Sequence, residues 1–242
     1  MNDMKLMMAA LMLALSCGSL ASEAAALNTL TPAEQEAGWK LLFDGKTIDG
    51  WRAFQKETFP TNGWIVEEGC LKRVARVSDI VTKETFLNFE LSWEWKIAKK
   101  GNSGIKYLVD ESRLSKKNGK VSTNALGNEY QMLDDVCFPD LPKKNLTASW
   151  YTVLEPKGAS PKPAGEFNQS RIVLKGNHGE HWLNGIKVLE YDLGTEDAAS
   201  MLAQSNFKSV PGYAEKNPTP ILLQDHGSDV WFRNIKIREL KP

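Results

Sequence analysis

The sequence lacks several features that would identify a protein class at once. Its 30 basic and 30 acidic side chains cancel, so no excess of positive charge favours nucleic acid or an anionic membrane surface as a partner. Only 3 cysteines are present, and their spacing does not match a structural zinc site. The chain also has no P-loop, dinucleotide fingerprint or G-x-S-x-G elbow. These absences argue against the commonest nucleotide, metal and serine-hydrolase chemistries.

Long apolar runs are also scarce, and the one near the start predicts an export signal over residues 1–26. Lys5 is a short positive region, Leu6 to Leu15 is apolar, and Ser19-Leu20-Ala21 is a small-x-small cleavage pattern. The apolar run is too short to span a membrane. We therefore expect an exported protein, periplasmic or secreted. The alternative is a lipoprotein anchored to the cell envelope through Cys17.

The remaining chain is long enough for one domain with a full core. Thr31-Pro32-Ala33-Glu34 has the form of a capping box with proline at the first helical position. It predicts a short helical lead-in over residues 27–38, followed by one β-sandwich domain over 39–242. Cys70 and Cys137 remain after cleavage, and the sequence leaves open whether they pair.

The clearest strand signal is the alternation from Phe86 to Ile97. Large apolar side chains are predicted to face the core: Leu87, Phe89, Leu91, Trp93 and Trp95. Three polar residues are predicted to face away: Glu90, Ser92 and Glu94.

Ten further strand-like runs follow or precede this segment. They are Trp64 to Glu67, Leu71 to Val74, Ile105 to Val109, Glu129 to Leu133, Trp150 to Leu154, Arg171 to Lys175, Glu180 to Leu183, Lys187 to Tyr191, Ile221 to Gln224 and Val230 to Arg238. Asn184-Gly185 predicts a hairpin turn, and Thr195 to Asn206 predicts an inserted helix. The pattern predicts an all-β fold: an antiparallel two-sheet sandwich of the jelly-roll type, with a short N-terminal helix and one inserted helix.

Polar groups that could act in chemistry collect around the last predicted turn. Gln224, Asp225, His226 and Arg233 lie on two short apolar runs joined through Gly227. Burying such groups without partners costs roughly 1 to 3 kcal/mol each. They must therefore face solvent, pair with one another or serve a ligand. Arg233 could alternatively pair with Asp225.

A second polar segment precedes the strand at Ile105. The glycines of Gly101-Asn102-Ser103-Gly104 permit close backbone approach and leave Asn102 and Ser103 at a strand end. Lys106 is out of phase with Ile105 and is expected to point away from the core. It is then either a cation aimed at ligand oxygens or a solvated surface lysine.

The third segment is Glu129 to Asp135. Glu129 and Gln131 share one strand face by period two. A bulge after Gln131 would bring Asp134 to the same side, and two carboxylates so placed resemble the acid pair of sandwich-fold glycosidases. The alternative is a solvated strand edge followed by an acidic turn.

Only 3 histidines occur, and they are not equivalent. His178 and His181 adjoin a hairpin turn and are predicted to lie at the surface. His226 follows a carboxylate at a strand end, which makes it a candidate general base or metal ligand. A divalent metal ion is an open alternative, with Glu129, Asp134 and His226 as its candidate ligands. No zinc-type spacing supports a dedicated site.

Taken together, short motifs between Trp39 and Leu240 resemble the bacterial 3-keto-disaccharide hydrolase family. The motifs are Leu42-Phe43-Asp44-Gly45-Lys46 with Gly50-Trp51, Asn102-Ser103-Gly104-Ile105, Glu129-Tyr130-Gln131, Trp182-Leu183-Asn184-Gly185, Leu223-Gln224-Asp225-His226-Gly227 and Phe232-Arg233-Asn234-Ile235. The resemblance implies a concanavalin A-like jelly-roll sandwich, exported, that acts on small glycosides oxidised to a ketone at C3.

The chemistry that the resemblance implies needs a base for the C2 proton, an acid for the leaving oxygen and a positive group for the enolate. Glu129 and His226 are the candidates for acid and base, in an order that the sequence leaves open. Lys106 and Arg233 are the candidates for the enolate oxygen, unless a divalent ion serves there. Three amides are expected to hold sugar hydroxyls, with Ser103 beside them: Asn102, Gln131 and Gln224.

A rival interpretation is a non-catalytic, lectin-like module that binds carbohydrate. The same sandwich architecture hosts both binding and catalysis, so the fold alone does not decide between them. A structural domain of an envelope complex is a third, weaker alternative.

Overall fold

A computed structural model describes residues 26–112, 114–117 and 120–241, with the backbone alone over residues 114–117 and 120–124. The predicted export signal and Cys17 lie outside the described residues, apart from Ala26. The helices and strands are α1 Pro32–Glu36, β1 Lys40–Leu41, β2 Trp51–Ala53, β3 Trp64–Glu67, β4 Cys70–Arg73, β5 Ile80–Thr82, β6 Phe89–Ile97, β7 Asn102–Tyr107, β8 Leu114–Lys117, β9 Lys120–Ala125, β10 Asn128–Leu133, β11 Asn168–Lys175, β12 His178–Leu183, β13 Ile186–Asp192, α2 Glu196–Ala203, β14 Leu222–Leu223 and β15 Val230–Glu239.

The strands form two main sheets that pack face to face. One sheet has eight strands in the order β13-β12-β11-β6-β15-β4-β3, with β1 paired to β15. The other has five strands in the order β10-β7-β14-β5-β2, and β8 and β9 form a separate hairpin. All of these neighbours are antiparallel. The predicted antiparallel two-sheet jelly-roll sandwich is therefore confirmed.

Both predicted helices are present. In α1 the Thr31 side chain accepts a hydrogen bond from Glu34 N, and the Glu34 carboxylate accepts one from Thr31 N, as a capping box requires. Helix α2 follows the N-cap Thr195 and ends at Ala203, earlier than the predicted Asn206. No helix within the described ranges is both long and apolar enough to cross a membrane.

Strand β6 provides the centre of the core. Phe89, Leu91, Trp93 and Trp95 are all buried toward the five-stranded sheet, as the alternation predicts. Leu87 does not join them, because it precedes the strand and is partly exposed. Phe86 is buried in its place.

The opposite face of β6 carries the predicted polar residues, but it is not fully solvated. Glu90 is 5% exposed and Ser92 is 7% exposed. Glu90 is covered because Arg171 and Arg238 both form ion pairs with its carboxylate. Long cationic side chains thus shield this surface of the eight-stranded sheet.

The predicted Asn184-Gly185 hairpin joins β12 to β13. Both residues have positive φ, 49° and 84°, which is the backbone that a two-residue turn of this kind needs. The strand predicted from Trp150 to Leu154 is wrong. Trp150 makes isolated bridges to Tyr130 and Leu154, and Thr152 at φ 61° turns the chain between them.

His181 contradicts the prediction of a surface histidine, because it is fully buried. Its Nδ1 lies 3.0 Å from Ala148 O and its Nε2 lies 2.8 Å from the Tyr107 hydroxyl. The carbonyl can only accept, so Nδ1 carries the proton and Nε2 accepts from Tyr107. Burial lowers the pKa of His181 to about 4. The predicted surface position of His178 holds, since its ring is partly exposed beside Asp192.

Cys70 and Cys137 are both free thiols, so the question left open by the sequence is settled against a disulfide between them. Cys70 is buried and Cys137 is partly exposed. Burial raises the pKa of the Cys70 thiol.

We expect His181 to make the fold acid-sensitive. Its pKa is depressed in the folded state, so its contribution is present above the unfolded pKa of about 6.5 and is lost as pH falls toward about 4. The free energy of unfolding of the wild type, minus that of His181→Gln, should decrease by up to about 3 kcal/mol over this range. Urea unfolding at several pH values measures it.

The matched control is His226→Gln, because His226 is exposed. Its unfolding curves should follow those of the wild type at every pH. A difference between wild type and His181→Gln that stays constant with pH would contradict a neutral buried imidazole.

Candidate active site on the five-stranded sheet

The outer face of the five-stranded sheet carries two neighbouring rows of side chains. The intervening residues Ile80, Ile105, Tyr130 and Leu223 belong to the core, so the residues that alternate with them point outward. The first row is Val81, Leu222, Lys106 and Glu129, of which the last two are charged. The second, here called the amide row, is Asp79, Gln224, Gly104 and Gln131.

Glu129 forms an ion pair with Lys106 on this face. It is 5% exposed and lies directly opposite Lys106 in the β10–β7 register. Lys106 Nζ is 3.4 Å from Glu129 Oε2 and donates a hydrogen bond to Ala125 O at 3.1 Å. Because the ammonium group has three donors, it retains capacity for a ligand oxygen.

Gly104 creates the space into which the Glu129 carboxylate leans. A Cβ at position 104 would lie 3.0 Å from Glu129 Oε1 and 3.1 Å from both Glu129 Cγ and Tyr130 O. These distances are too short for an undisturbed side chain. The glycine that the sequence places before Ile105 therefore allows the carboxylate to reach across the sheet toward Gln224.

Gln224, which follows β14, approaches Glu129 across β7. Its Nε2 lies 3.5 Å from Glu129 Oε2, whereas its Oε1 is buried and has no hydrogen-bond partner within the described part of the chain. An unpaired buried acceptor costs roughly 1 to 3 kcal/mol. A ligand hydroxyl donated to Oε1 would remove that cost.

The other predicted binding residues divide between ligand-facing and structural positions. Gln131 uses its amide locally, donating to Asn145 O at 3.3 Å and accepting from Met132 N at 3.1 Å. Ser103 is fully buried and donates to Gln224 O at 2.8 Å, so it holds the backbone of Gln224. Asn102 is partly exposed at the end of β7, and its Oδ1 lacks a partner among the described residues.

Asp225 and His226 differ in exposure, because the Asp225 side chain is buried and His226 is exposed. The Asp225 carboxylate accepts from Arg73 Nε at 2.7 Å and Val77 N at 2.7 Å, and the side chains of this ion pair are almost completely buried. His226 is exposed and makes no hydrogen bond or ion pair within residues that the structure describes. His226 is thus an exposed residue two positions beyond Gln224 in the chain.

Arg233 is not part of this face. Its Nε donates to Glu94 Oε2 at 2.8 Å, and its guanidinium stacks over Phe167 at 3.7 Å. Both contacts lie on the outer surface of the eight-stranded sheet. The alternative pairing with Asp225 is therefore wrong. The expected role of Arg233 at an enolate oxygen stays a prediction, from a different sheet than Lys106 and Glu129.

The predicted metal ligands do not form a cluster. Strand β10 pairs with β7 through Leu133 without a register shift, so the expected bulge is absent from β10, and Asp134 instead accepts from Lys100 N at 2.8 Å. A different set could hold a metal: ligand atoms of His178, Glu180 and Glu190 lie within 4.8 Å of one another. Lys187 already forms ion pairs with both glutamates of that set.

Asp79 is a site residue that the sequence interpretation missed. It precedes β5 and adjoins Gln224 in the amide row, and its Oδ1 accepts a hydrogen bond from Asp225 N at 2.8 Å. A cleft of about 330 Å³ opens beside it, lined by Phe54, Gln55, Lys56, Arg76, Val77, Ser78, Asp79 and Asp225. Burial raises the pKa of Asp79, whereas the charge of Lys106 lowers it.

Comparison with known proteins identifies the family of this chain. The family profile described as the 3-keto-alpha-glucoside-1,2-lyase-like domain matches residues 38–238. A relative from Bacteroides thetaiotaomicron, named 3-keto-disaccharide hydrolase, is 34% identical; the match covers 90% of this chain and 84% of the relative.

Solved structures give the same result. A candidate glycosyl hydrolase from Parabacteroides distasonis superposes with a TM-score of 0.79 at 32% identity, covering 89% of this chain and 100% of the other. A second one from that organism gives a TM-score of 0.58 at 26% identity, covering 84% and 99%. The chain therefore belongs to the 3-keto-alpha-glucoside-1,2-lyase-like domain family, as its motifs indicate.

Proposed function

We propose that this protein cleaves the glycosidic bond of small 3-keto-glycosides, such as 3-keto-disaccharides. The observation that carries the proposal is the buried carboxylate of Glu129, 3.4 Å from a cation and 3.5 Å from an amide on an outward sheet face. The names of the relatives support it, because the family is described as lyase-like at positions 1 and 2 and the relative is named a hydrolase. The chain is accordingly an enzyme of the glycoside-cleaving class.

The ketone determines the chemistry. A carbonyl at C3 acidifies the hydrogen at C2, so a base can remove that proton and leave an enolate on the C3 oxygen. The enolate then re-forms the ketone, a C1=C2 double bond develops and the glycosidic oxygen leaves C1. Water adds back across the double bond, so the net reaction is hydrolysis.

Glu129 is the base in this proposal. The ammonium group of Lys106 lies 3.4 Å from the carboxylate, and the Gln224 amide restricts where that carboxylate points. A carboxylate that is held in place and largely shielded from water is suited to proton transfer, which typically contributes 10²- to 10⁴-fold to rate.

Lys106 is the group that stabilises the enolate oxygen. A fixed cation at a position where negative charge develops contributes most in a site that excludes water. A divalent ion bound at Glu129 is the alternative source of this charge. Gln224 Oε1 and Asn102 Oδ1 remain to accept hydrogen bonds from sugar hydroxyls.

Export to the periplasm or the medium also remains part of the proposal, with a lipid anchor at Cys17 as the alternative. Its support is the leader pattern in the sequence. Mass analysis of the mature protein distinguishes a free N-terminus after Ala21 or Ala26 from an acylated Cys17.

We expect Glu129→Gln to reduce turnover of a 3-keto-disaccharide by roughly 10²-fold or more, because the amide cannot take the C2 proton. In deuterium oxide, the wild type should also introduce deuterium at C2 of the recovered sugar, and the variant should not. The matched control is Glu94→Gln, a carboxylate in an ion pair with Arg233 on the other sheet. It should retain both activities.

The rival function, carbohydrate binding without catalysis, makes the opposite prediction. In that case the wild type would bind unoxidised glycans and would turn over neither 3-keto-glycosides nor ordinary glycosides. Glu129→Gln would leave glycan binding unchanged. These results together would show that the protein is a binding module and not an enzyme.

Gly104→Ala should lower turnover by at least about tenfold, since even a 1 Å displacement of a reacting group can cost about 10²-fold. The added Cβ would contact Glu129 Oε1 at 3.0 Å and push the carboxylate aside. Gly50→Ala is the control, because its Cβ would meet only Leu42 O, at 3.6 Å. Full activity of a folded Gly104→Ala enzyme would show that the present position of the carboxylate is unimportant.

Lys106→Met distinguishes the two sources of positive charge. If lysine stabilises the enolate, turnover should fall by roughly 10²-fold and added chelator should change neither enzyme. A small effect of Lys106→Met, together with loss of wild-type activity after chelation and recovery with a divalent ion, would assign the role to a metal.

A further inference from the structure

Asp79 and Glu129 approach Gln224 from opposite sides. Asp79 adjoins Gln224 across the β5–β14 pairing, next to the pair Leu223 and Ile80. Glu129 lies beyond Gln224 in the other direction, where it leans over Gly104. Neighbouring strands are about 4.8 Å apart, so the two carboxyl groups flank Gln224 on the same face of the sheet.

The surroundings of the two carboxyl groups differ. Glu129 has an ammonium group at 3.4 Å, whereas Asp79 has no ion pair among the described residues. Its Oδ1 accepts the Asp225 N–H, and its Oδ2 has no hydrogen-bond partner in the described ranges. Asp79 also lines the cleft, together with the apolar ring of Phe54.

Environments that separate the pKa values of two nearby carboxyl groups commonly assign one as base and the other as acid. Burial raises the pKa of Asp79, and the negative charge of Glu129 acts in the same direction against the opposing effect of Lys106. The partly buried position of Asp79 in the wall of the cleft thus favours its protonated carboxyl group.

We propose that Asp79 is the general acid that protonates the glycosidic oxygen as the C1–O bond breaks. The inference rests on the proposed function and assigns to Asp79 the role for which the sequence offers His226. Asp79 lines the cleft beside the amide row, whereas His226 is exposed and does not line that cleft.

Glu129 and Asp79 together take up and release every proton that the reaction moves. Glu129 takes the C2 proton, the enolate electrons form the C1=C2 bond, and the electrons of the C1–O bond pass to the leaving oxygen, which takes the Asp79 proton. In the hydration step the Asp79 carboxylate takes a proton from water as the oxygen adds to C1. Glu129 returns its proton to C2, so both groups are restored.

The test compares two leaving groups in Asp79→Asn, which keeps an acceptor for the Asp225 N–H. Turnover of a 3-keto-disaccharide should fall by roughly 10²-fold or more, because a sugar alkoxide needs a proton to leave. Turnover of 4-nitrophenyl 3-keto-glucoside should fall by less than about tenfold, because nitrophenolate leaves without one.

Deuterium exchange at C2 separates this inference from the proposed function. In deuterium oxide, Asp79→Asn should still exchange C2 of the unreacted 3-keto-disaccharide, because Glu129 and Lys106 are intact. A wild type that neither exchanges nor cleaves would refute the proposed function itself. A wild type that does both, with a variant that loses both to the same extent, would refute only the acid role of Asp79.

Two further variants complete the design. Asp192→Asn removes an exposed carboxylate on the other sheet and should match the wild type with both substrates. His226→Ala tests the competing donor: if it, and not Asp79→Asn, shows the selective loss on the disaccharide, then the acid is His226. Thermal unfolding of each variant verifies the fold.

Discussion

The candidate site depends on one ion pair, between Lys106 and Glu129, that is nearly buried on the outer face of the five-stranded sheet. Removing two charges from water is expensive, and their attraction offsets that cost only when other polar groups complete their hydrogen bonding. Ala125 O and the Gln224 amide supply part of it. The Gln224 amide is itself incompletely bonded, because its Oε1 has no hydrogen-bond partner among the residues that the structure describes. A fold stabilised elsewhere by an aromatic core can tolerate such a deficit where a ligand binds.

The alternation of side chains along single strands was sufficient to predict most of the residues on this face. Period two placed Glu129 and Gln131 on one side of β10 and Lys106 outside the core on β7, and Gln224 follows a short apolar run; all four lie on the same outer face. Arg233 also obeys this alternation, because it pairs in register with Glu94 and points away from the core. It is absent from the face because β15 belongs to the eight-stranded sheet, whereas β14 belongs to the five-stranded sheet.

Other features depend on contacts that no short segment encodes. Strand β5 is three residues long, so its apolar run was too brief to detect, and Asp79 was missed with it. Only the pairing of β5 with β14 shows that Asp79 lies beside Gln224. His181 is similar: its sequence neighbours suggest a turn, whereas its burial follows from hydroxyl and carbonyl partners 74 and 33 positions away.

The shortest strand of the sheet has the largest consequence for how the enzyme would lose activity. Strand β14, only Leu222–Leu223, is the sole link between β5 and β7 in the described sheet. Leu222 and Leu223 are fully buried, and buried core segments open only when the whole domain unfolds. Asp79 and Glu129 therefore stay on one sheet for as long as the sandwich is folded. Inactivation on heating should accordingly coincide with the loss of tryptophan burial, and hydrogen exchange at Leu222 and Leu223 should report on global unfolding.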